Sequence, residues 1–179
     1  MVEKESKNVS FQAHSGEVLG FAGLVGAGRT ETMRMIFGAD KKISGEIFIR
    51  GKAVDIRSPR DAIRNGIGFV TENRKEEGLF LRSSIKVNTV MVALKKILKA
   101  GLYFDFKKEK AYAEEYVKKF HTATSSVNKR VMFLSGGNQQ KVVLAKWLLS
   151  DADIIILDEP TRGIDVGLKE KYTRLSMNW

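Results

Sequence analysis

Cysteine is absent from the 179 residues, which excludes a disulfide framework and any thiolate metal site. The two histidines are too few to build a histidine metal centre, and a chain free of cysteine fits a cytosolic setting. No apolar run approaches the roughly 18–20 residues needed to cross a bilayer, and the opening "MVEKESKNVS" lacks the apolar core of a signal peptide. A membrane role is therefore expected to work through a partner. Internal repeats and low-complexity tracts are also missing.

What remains is a chain that is 43% hydrophobic, enough for one domain with a real core, or a core plus a small subdomain. Its formal charge of +10 suggests attraction to phosphates, nucleic acid or an anionic membrane surface. Lysines cluster in "LKKILK" and in "FDFKKEKAYAEEYVKKF". In the second, Tyr112, Tyr116, Val117 and Phe120 form an apolar stripe, while Glu114–Lys118 and Glu115–Lys119 stand at i,i+4 on the wet side. A solvated helix face is the leading reading and a polyanion site the alternative.

Along the chain, "NVSFQAHSGEVLGFAG" reads as two β runs split at His14-Ser15-Gly16, and "GEIFIRGKAVDI" as alternating β structure with a turn at Gly51. Between them "RTETMRMIFG" is helical and stops at Gly38. "SPRDAIRNG" starts a short helix with Ser58 as cap and Pro59 at its first position, then hands over to the strand "IGFVTE". This alternation predicts a mainly parallel α/β sheet. From about Asn73 to Phe133 the pattern is charged and helical with no convincing strand, as in an inserted helical subdomain. Gly136-Gly137 punctuates it, "NQQKVVLAKWLLSD" is helical, and "ADIIILDEP" suits a strand buried on both faces.

Three stretches carry chemistry. Gly23-Leu24-Val25-Gly26-Ala27-Gly28-Arg29-Thr30 has the glycine spacing of a phosphate-binding loop, with Arg29 where lysine is expected. Its glycines allow successive N–H groups to face phosphate oxygens, the following helix adds its positive end, and Thr30 offers a hydroxyl to Mg²⁺. The bland reading is a glycine-rich strand-to-helix turn. Asp158 and Glu159 close the aliphatic run: an aspartate at a strand end can hold the Mg²⁺ hydration shell, and a glutamate beside it can orient or deprotonate water. Otherwise the pair is a turn or helix cap. In "LSGGNQQK", Ser135 can cap the helix that follows while Gly136 and Gly137 leave its first N–H groups open to an anion.

The order of phosphate loop, helical insertion, LSGG signature, then Walker B with "TRGID" resembles the nucleotide-binding domain of an ABC transporter. "GLVGAGRTE", "TENRKEEGL", "LSGGNQQK" and "LDEPTRGIDVG" together resemble the C-terminal ATPase domain of tandem-domain bacterial sugar importers of the ribose, galactose and xylose type. The resemblance covers nearly the whole chain. It implies an α/β P-loop NTPase (RecA-like) core over 1–72 and 151–179, incomplete and truncated after Walker B and the D-loop, with a helical signature subdomain at 73–150. It further implies ATP bound through Gly23, Val25, Gly26, Ala27, Gly28, Arg29, Thr30, Glu31 and Glu72. Mg²⁺ would lie at Thr30, Asp158 and Glu72, with Glu159 and Asp158 catalytic. Ser135, Gly136, Gly137 and Asn138 would serve an ATP held by a second, head-to-tail nucleotide-binding domain. The implied partners are that tandem N-terminal domain, membrane-spanning permease subunits and, indirectly, a periplasmic sugar-binding protein, with no nucleic acid. The implied location is peripheral, on the cytoplasmic face of the inner membrane.

Arg29, Glu72 in the Q-loop glutamine place and Asn138 in the signature depart from the wider family but fit this subfamily. Arginine keeps the loop's charge without a compact ammonium, so this loop is expected to bind nucleotide more readily than to turn it over. His14 and His121 both precede Asp158, so neither is the family's switch histidine, and "MVEKESK" offers no aromatic to stack on adenine. An excised fragment is the expectation, with negligible activity alone. Leu79, Phe80 and Leu81 are expected to be exposed beside Arg74 and Lys75 as a dock for the membrane subunit. Two alternative functions are weighed: a soluble ABC-type ATPase acting on nucleic acid, and a non-hydrolysing regulatory domain.

Overall fold

The structure, a computed structural model, describes residues 9–99 and 102–160. Its centre is a parallel pair of strands, β3 (Ile67–Val70) and β6 (Ile154–Leu157), in the register Ile67↔Ile154 to Val70↔Leu157. Every residue of β3 is buried. Helix α6 (Gly136–Leu149) packs against β3 and closes over it with Trp147. The approach is so close that a Cβ on Gly68 would stand 3.0 Å from the Trp147 ring. Trp147 meets Phe37 edge-on at 5.6 Å between centroids, and Phe37 meets Phe69 at 5.3 Å, so three rings bind sheet, α6 and the end of α1 into one core. Burying such side chains is worth about 1.5–3 kcal/mol each.

Around this pair the sequence periodicities become elements. α1 (Arg29–Ile36) leads from the glycine loop and ends where Gly38 takes a positive φ. β1 (Ile47–Ile49) and β2 (Lys52–Val54) form a hairpin turning at Arg50-Gly51. α2 (Pro59–Arg64) starts as expected, with the Ser58 hydroxyl accepting from the Asp61 N–H and proline at the first position. A π-helical turn, Arg74–Gly78, follows β3.

The helical region holds α3 (Ile85–Val90), α4 (Leu94–Ile97), α5 (Phe106–Lys119) and a 3-10 turn at Val131–Phe133, with α3 wedged against α5 and α6. Val90, Ala93, Ile97 and Leu149 make a second small core, against which Tyr112 and Tyr116 pack. Asn88, fully buried, accepts from the Phe80 N–H at 2.8 Å and donates to the Phe80 carbonyl at 3.0 Å, fixing the strap that enters this region.

Several expectations are corrected. No strand forms in residues 9–26; Phe11 and Phe21 pair edge-on at 4.7 Å while Val18 is 76% exposed. Periodicity marks residues that prefer burial, but a strand also needs a neighbour to complete its hydrogen-bond ladder, and none among the described residues pairs with this run. The sheet expected to be mainly parallel is parallel only in β3–β6; the other two sheets among the described residues are antiparallel hairpins. β6 is only half-covered, with Ile154 and Leu157 exposed, because a strand is buried on both faces only where layers cover both. The helical stretch contains a minimal hairpin, β4 (Leu98–Lys99) with β5 (Tyr103–Phe104). Gly136 and Gly137 do not interrupt the chain before α6 but form its first turn. Glu114 pairs with Lys110 at 3.6 Å rather than with Lys118. Leu79 is buried and Leu81 half-buried, so of the three expected exposed residues only Phe80 faces solvent. The expectation for "TRGID" falls outside the described residues.

Candidate functional site

The glycine loop folds as its sequence requires. Ala27 donates its N–H to the Leu24 carbonyl at 3.1 Å, and Gly26 and Gly28 both sit at φ 83°, a region glycine enters without strain. Gly28 is buried beneath the loop, and Leu24 and Val25 form its exposed crown. Gly23 lies against Ala27: a Cβ there would stand 3.2 Å from the Ala27 Cβ. Gly28 caps α1 without a side-chain bond, so the first turn presents backbone N–H groups and the positive helix end, with Glu31 inside that turn.

Strand β6 carries the acids to the same place. The Asp158 N–H donates to the Val70 carbonyl at 2.9 Å, extending the β3–β6 ladder by one step. The Asp158 carboxylate accepts from the Thr30 hydroxyl. Asp158 is only 8% exposed, and its Oδ2 is buried with no hydrogen-bond partner. Burial, the largest cause, pushes its carboxyl above the usual range, against the lowering effect of the Thr30 bond. A hydroxyl and a buried carboxylate oxygen lacking a partner make a hard-oxygen set that suits Mg²⁺, so the residues present fit the implied ion.

Glu159 follows at φ 42° and meets Arg29 at 3.5 Å, both side chains partly exposed. The arginine in the loop's lysine place thus faces the glutamate expected to act on water. Glu72 stands two residues past β3, at the same end of the parallel pair as Asp158. This end of an open parallel sheet is where such folds place ligands.

The signature lies on the helical region. Ser135 occupies the N-cap position of α6, but its hydroxyl does not cap the helix; it accepts from the Asn138 side chain at 2.9 Å. Asn138 is held in turn, accepting from the Ala123 N–H at 2.9 Å. The expected capping role is corrected by this local competition: the Asn138 amide reaches the hydroxyl first. The helix start, with Gly136 partly exposed and Gly137 buried, is left without a side-chain cap. The structure therefore unites loop and acids, while the hydrogen bonds of Ser135 and Asn138 run to each other and to Ala123.

Two residues escaped the sequence reading. Arg34 binds Asp40 at 2.7 and 3.0 Å and Glu77 in the Arg74–Gly78 turn. Lys146, buried in α6, donates to the Gly78 carbonyl at 2.7 Å and lies 5.0 Å from the Trp147 ring centre. The available signal was a lysine set among apolar residues in "VVLAKWLL".

The ABC transporter family profile matches residues 6–162. The ribose import ATP-binding protein RbsA of Lacticaseibacillus paracasei is 53% identical over 165 residues, covering 92% of this chain and 33% of that protein. The arabinose import ATP-binding protein AraG 1 of Burkholderia thailandensis is 49% identical over 163 residues, covering 90% and 32%. The chain thus spans about a third of the length of the curated relatives it matches. Among solved structures, the dimeric ATP-binding cassette MJ0796 in a post-hydrolysis state with ADP and phosphate superposes with a TM-score of 0.79 at 24% identity, over 95% of this chain and 72% of that one. That likeness shows the fold, and with the family match and the sugar-import relatives it establishes that this chain belongs to the ABC transporter family, as an ATP-binding domain.

Proposed function

We propose that this chain is the nucleotide-binding, energy-coupling domain of a sugar importer, and that it binds Mg-ATP at its glycine loop. The observation that carries the reading is the Thr30–Asp158 contact beside the partnerless, buried Asp158 Oδ2, at the start of a helix whose N–H groups are uncapped. Gly23, Val25, Gly26, Ala27, Gly28, Arg29, Thr30 and Glu31 bind the phosphates. Thr30, Asp158 and Glu72 hold the ion, which when bound neutralises charge developing on the transferred phosphoryl group. Glu159 accepts a proton from, or orients, the attacking water.

The sugar-import relatives support a permease as the membrane partner, a tandem nucleotide-binding domain as the cassette partner, a periplasmic sugar-binding protein upstream, and a seat on the inner membrane face. In a head-to-tail pair, Ser135, Gly136, Gly137 and Asn138 address the ATP of the other domain. Calorimetric titration of the chain with ATP tests the reading. We expect weak binding that vanishes with EDTA and falls at least tenfold in Thr30→Val, with negligible phosphate release. Binding indifferent to both would overturn it.

One observation favours a second reading, in which this domain binds nucleotide without hydrolysing it: Arg29 pairs with Glu159 and occupies the carboxylate that would serve water.

A further inference from the structure

The segment from Leu94 to Glu109 turns its acids inward and its cations and apolar groups outward. Its only two acids are Asp105 and Glu109, and both are buried. Asp105 accepts from the Lys107 and Lys108 N–H groups at 3.0 and 3.1 Å, starting α5, and pairs with Lys99 at 3.2 Å. Glu109 pairs with Lys86 at 3.0 Å. Their charge is consumed inside the fold. Outside stand Lys95, Lys107 and Lys108, for which no carboxylate partner is found among the described residues, together with Leu102 at 80% exposure, Tyr103 at 72% and Phe106 at 68%. Phe104 leans on Phe106 at 4.8 Å, so the two rings form one apolar knob between the hairpin and α5.

We infer that this face is a membrane-surface patch, which seats its aromatic and leucine side chains in the headgroup layer of an anionic bilayer while the lysines meet lipid phosphates. Charge complementarity selects a polyanion: the segment itself exposes cations and no acid, the exposed carboxylate beside it, Asp151, is bound by Lys96, and such a face is matched by a uniformly negative surface. Exposed leucines beside the rings favour a bilayer over nucleic acid, because an aliphatic chain stacks on no base. The strands of this face, two residues each, are too short for a partner to extend by strand addition. The Asp105 cap and the Lys86–Glu109 pair are the devices that keep negative charge off it. The inference is independent of the nucleotide site, which lies on α1 and β6.

Sedimentation of the chain with vesicles, no permease being present, tests the inference. Vesicles of phosphatidylcholine with phosphatidylglycerol are compared with phosphatidylcholine alone, at low and high salt. We expect salt-sensitive binding to the anionic vesicles only. Each lysine at such a surface is worth roughly a fivefold change in binding, so Lys107→Glu with Lys108→Glu should weaken it by roughly 30-fold or more. Leu102→Ser with Phe106→Ser should weaken it about tenfold, since partitioning scales with buried apolar area. All four positions are exposed, so melting temperature and Mg-ATP binding should stay at the parent values, which separates this inference from the proposed function. Equal binding to neutral vesicles, binding to single-stranded DNA but not to vesicles, or vesicle binding unchanged in either double variant would overturn it.

Discussion

Asp158 shows how one residue can serve function at the expense of stability. Its carboxyl is pushed up because burial disfavours the ionised form more than the Thr30 hydroxyl favours it. With a folded pKa above the unfolded one, the native state holds the proton more tightly. This group's contribution to stability is therefore full below the unfolded pKa and lost as pH rises through the folded value. Ionising this buried acid therefore costs stability, and a bound cation would offset that cost. Asp158→Asn keeps the shape and removes the charge, so it should melt no lower than the parent at pH 7, and a gain of 1 kcal/mol would raise the melting temperature by roughly 2–4 °C. Its Mg-dependent ATP binding should be lost. Scanning calorimetry with nucleotide titration reads both, and a variant melting well below the parent would mean that the carboxylate is structural. The Asp-Glu pair was legible in the sequence, because an acid at the end of an aliphatic run has few structural uses. Its orphaned oxygen was not, since burial depends on β3 and the loop, distant in the chain.

At the scale of elements, the turn Arg74–Gly78 is gripped from two sides. Arg34 on α1 reaches Glu77, and Lys146 on α6 reaches the Gly78 carbonyl, so the helix after the phosphate loop and the helix after the signature are tied to one short turn. Hinge motions are transmitted through such shared contacts. Lys146 carries a measurable mark of this arrangement, because burial lowers its ammonium to about 8 from the ordinary 10.5. Between those values the unfolded chain binds more protons than the folded one, so this group's contribution makes stability rise with pH. The rise is at most about 1.4 kcal/mol per pH unit. Urea unfolding from pH 7 to pH 10 should show the parent gaining on Lys146→Met above pH 8, by on the order of 1–2 kcal/mol. Parallel profiles would show that Lys146 is solvated. The comparison isolates the lysine, because groups common to both proteins cancel.

For the whole molecule, the decisive fact is that loop and signature engage different partners. The loop end gathers Gly23 to Glu31, Asp158 and Glu159, whereas Ser135 and Asn138 are occupied with each other and with Ala123. A surface built this way has half of two sites, which agrees with a head-to-tail pair. In the proposed tandem transporter, Ser135→Arg should nearly abolish ATPase activity and uptake, because a bulky cation would fill the partner's site; removing even one preorganised donor can cost roughly 10²–10³ in rate. Glu159→Gln should leave most of the turnover, because it disables only the loop whose Arg29 already pairs with that glutamate. Phosphate release and sugar uptake at saturating ATP decide the matter. Equal inactivity of the two variants would show that the arginine loop hydrolyses ATP.

What the amino-acid sequence determined by itself was local chemistry: the glycine loop, the Ser58 cap and Pro59 start of α2, the Arg50-Gly51 hairpin, the helical signature and the acid pair. Each is legible because backbone freedom, capping and periodicity act within a few residues. Only the tertiary structure decided which apolar runs found a ladder, as β3 did with β6 while residues 9–26 did not. It also decided that Ser135 would be engaged by Asn138, that Arg29 would meet Glu159, and that Lys146 would be buried against Gly78. Those outcomes are competitions for one partner among residues far apart in the chain, and a competition is settled only when all the contenders are in place.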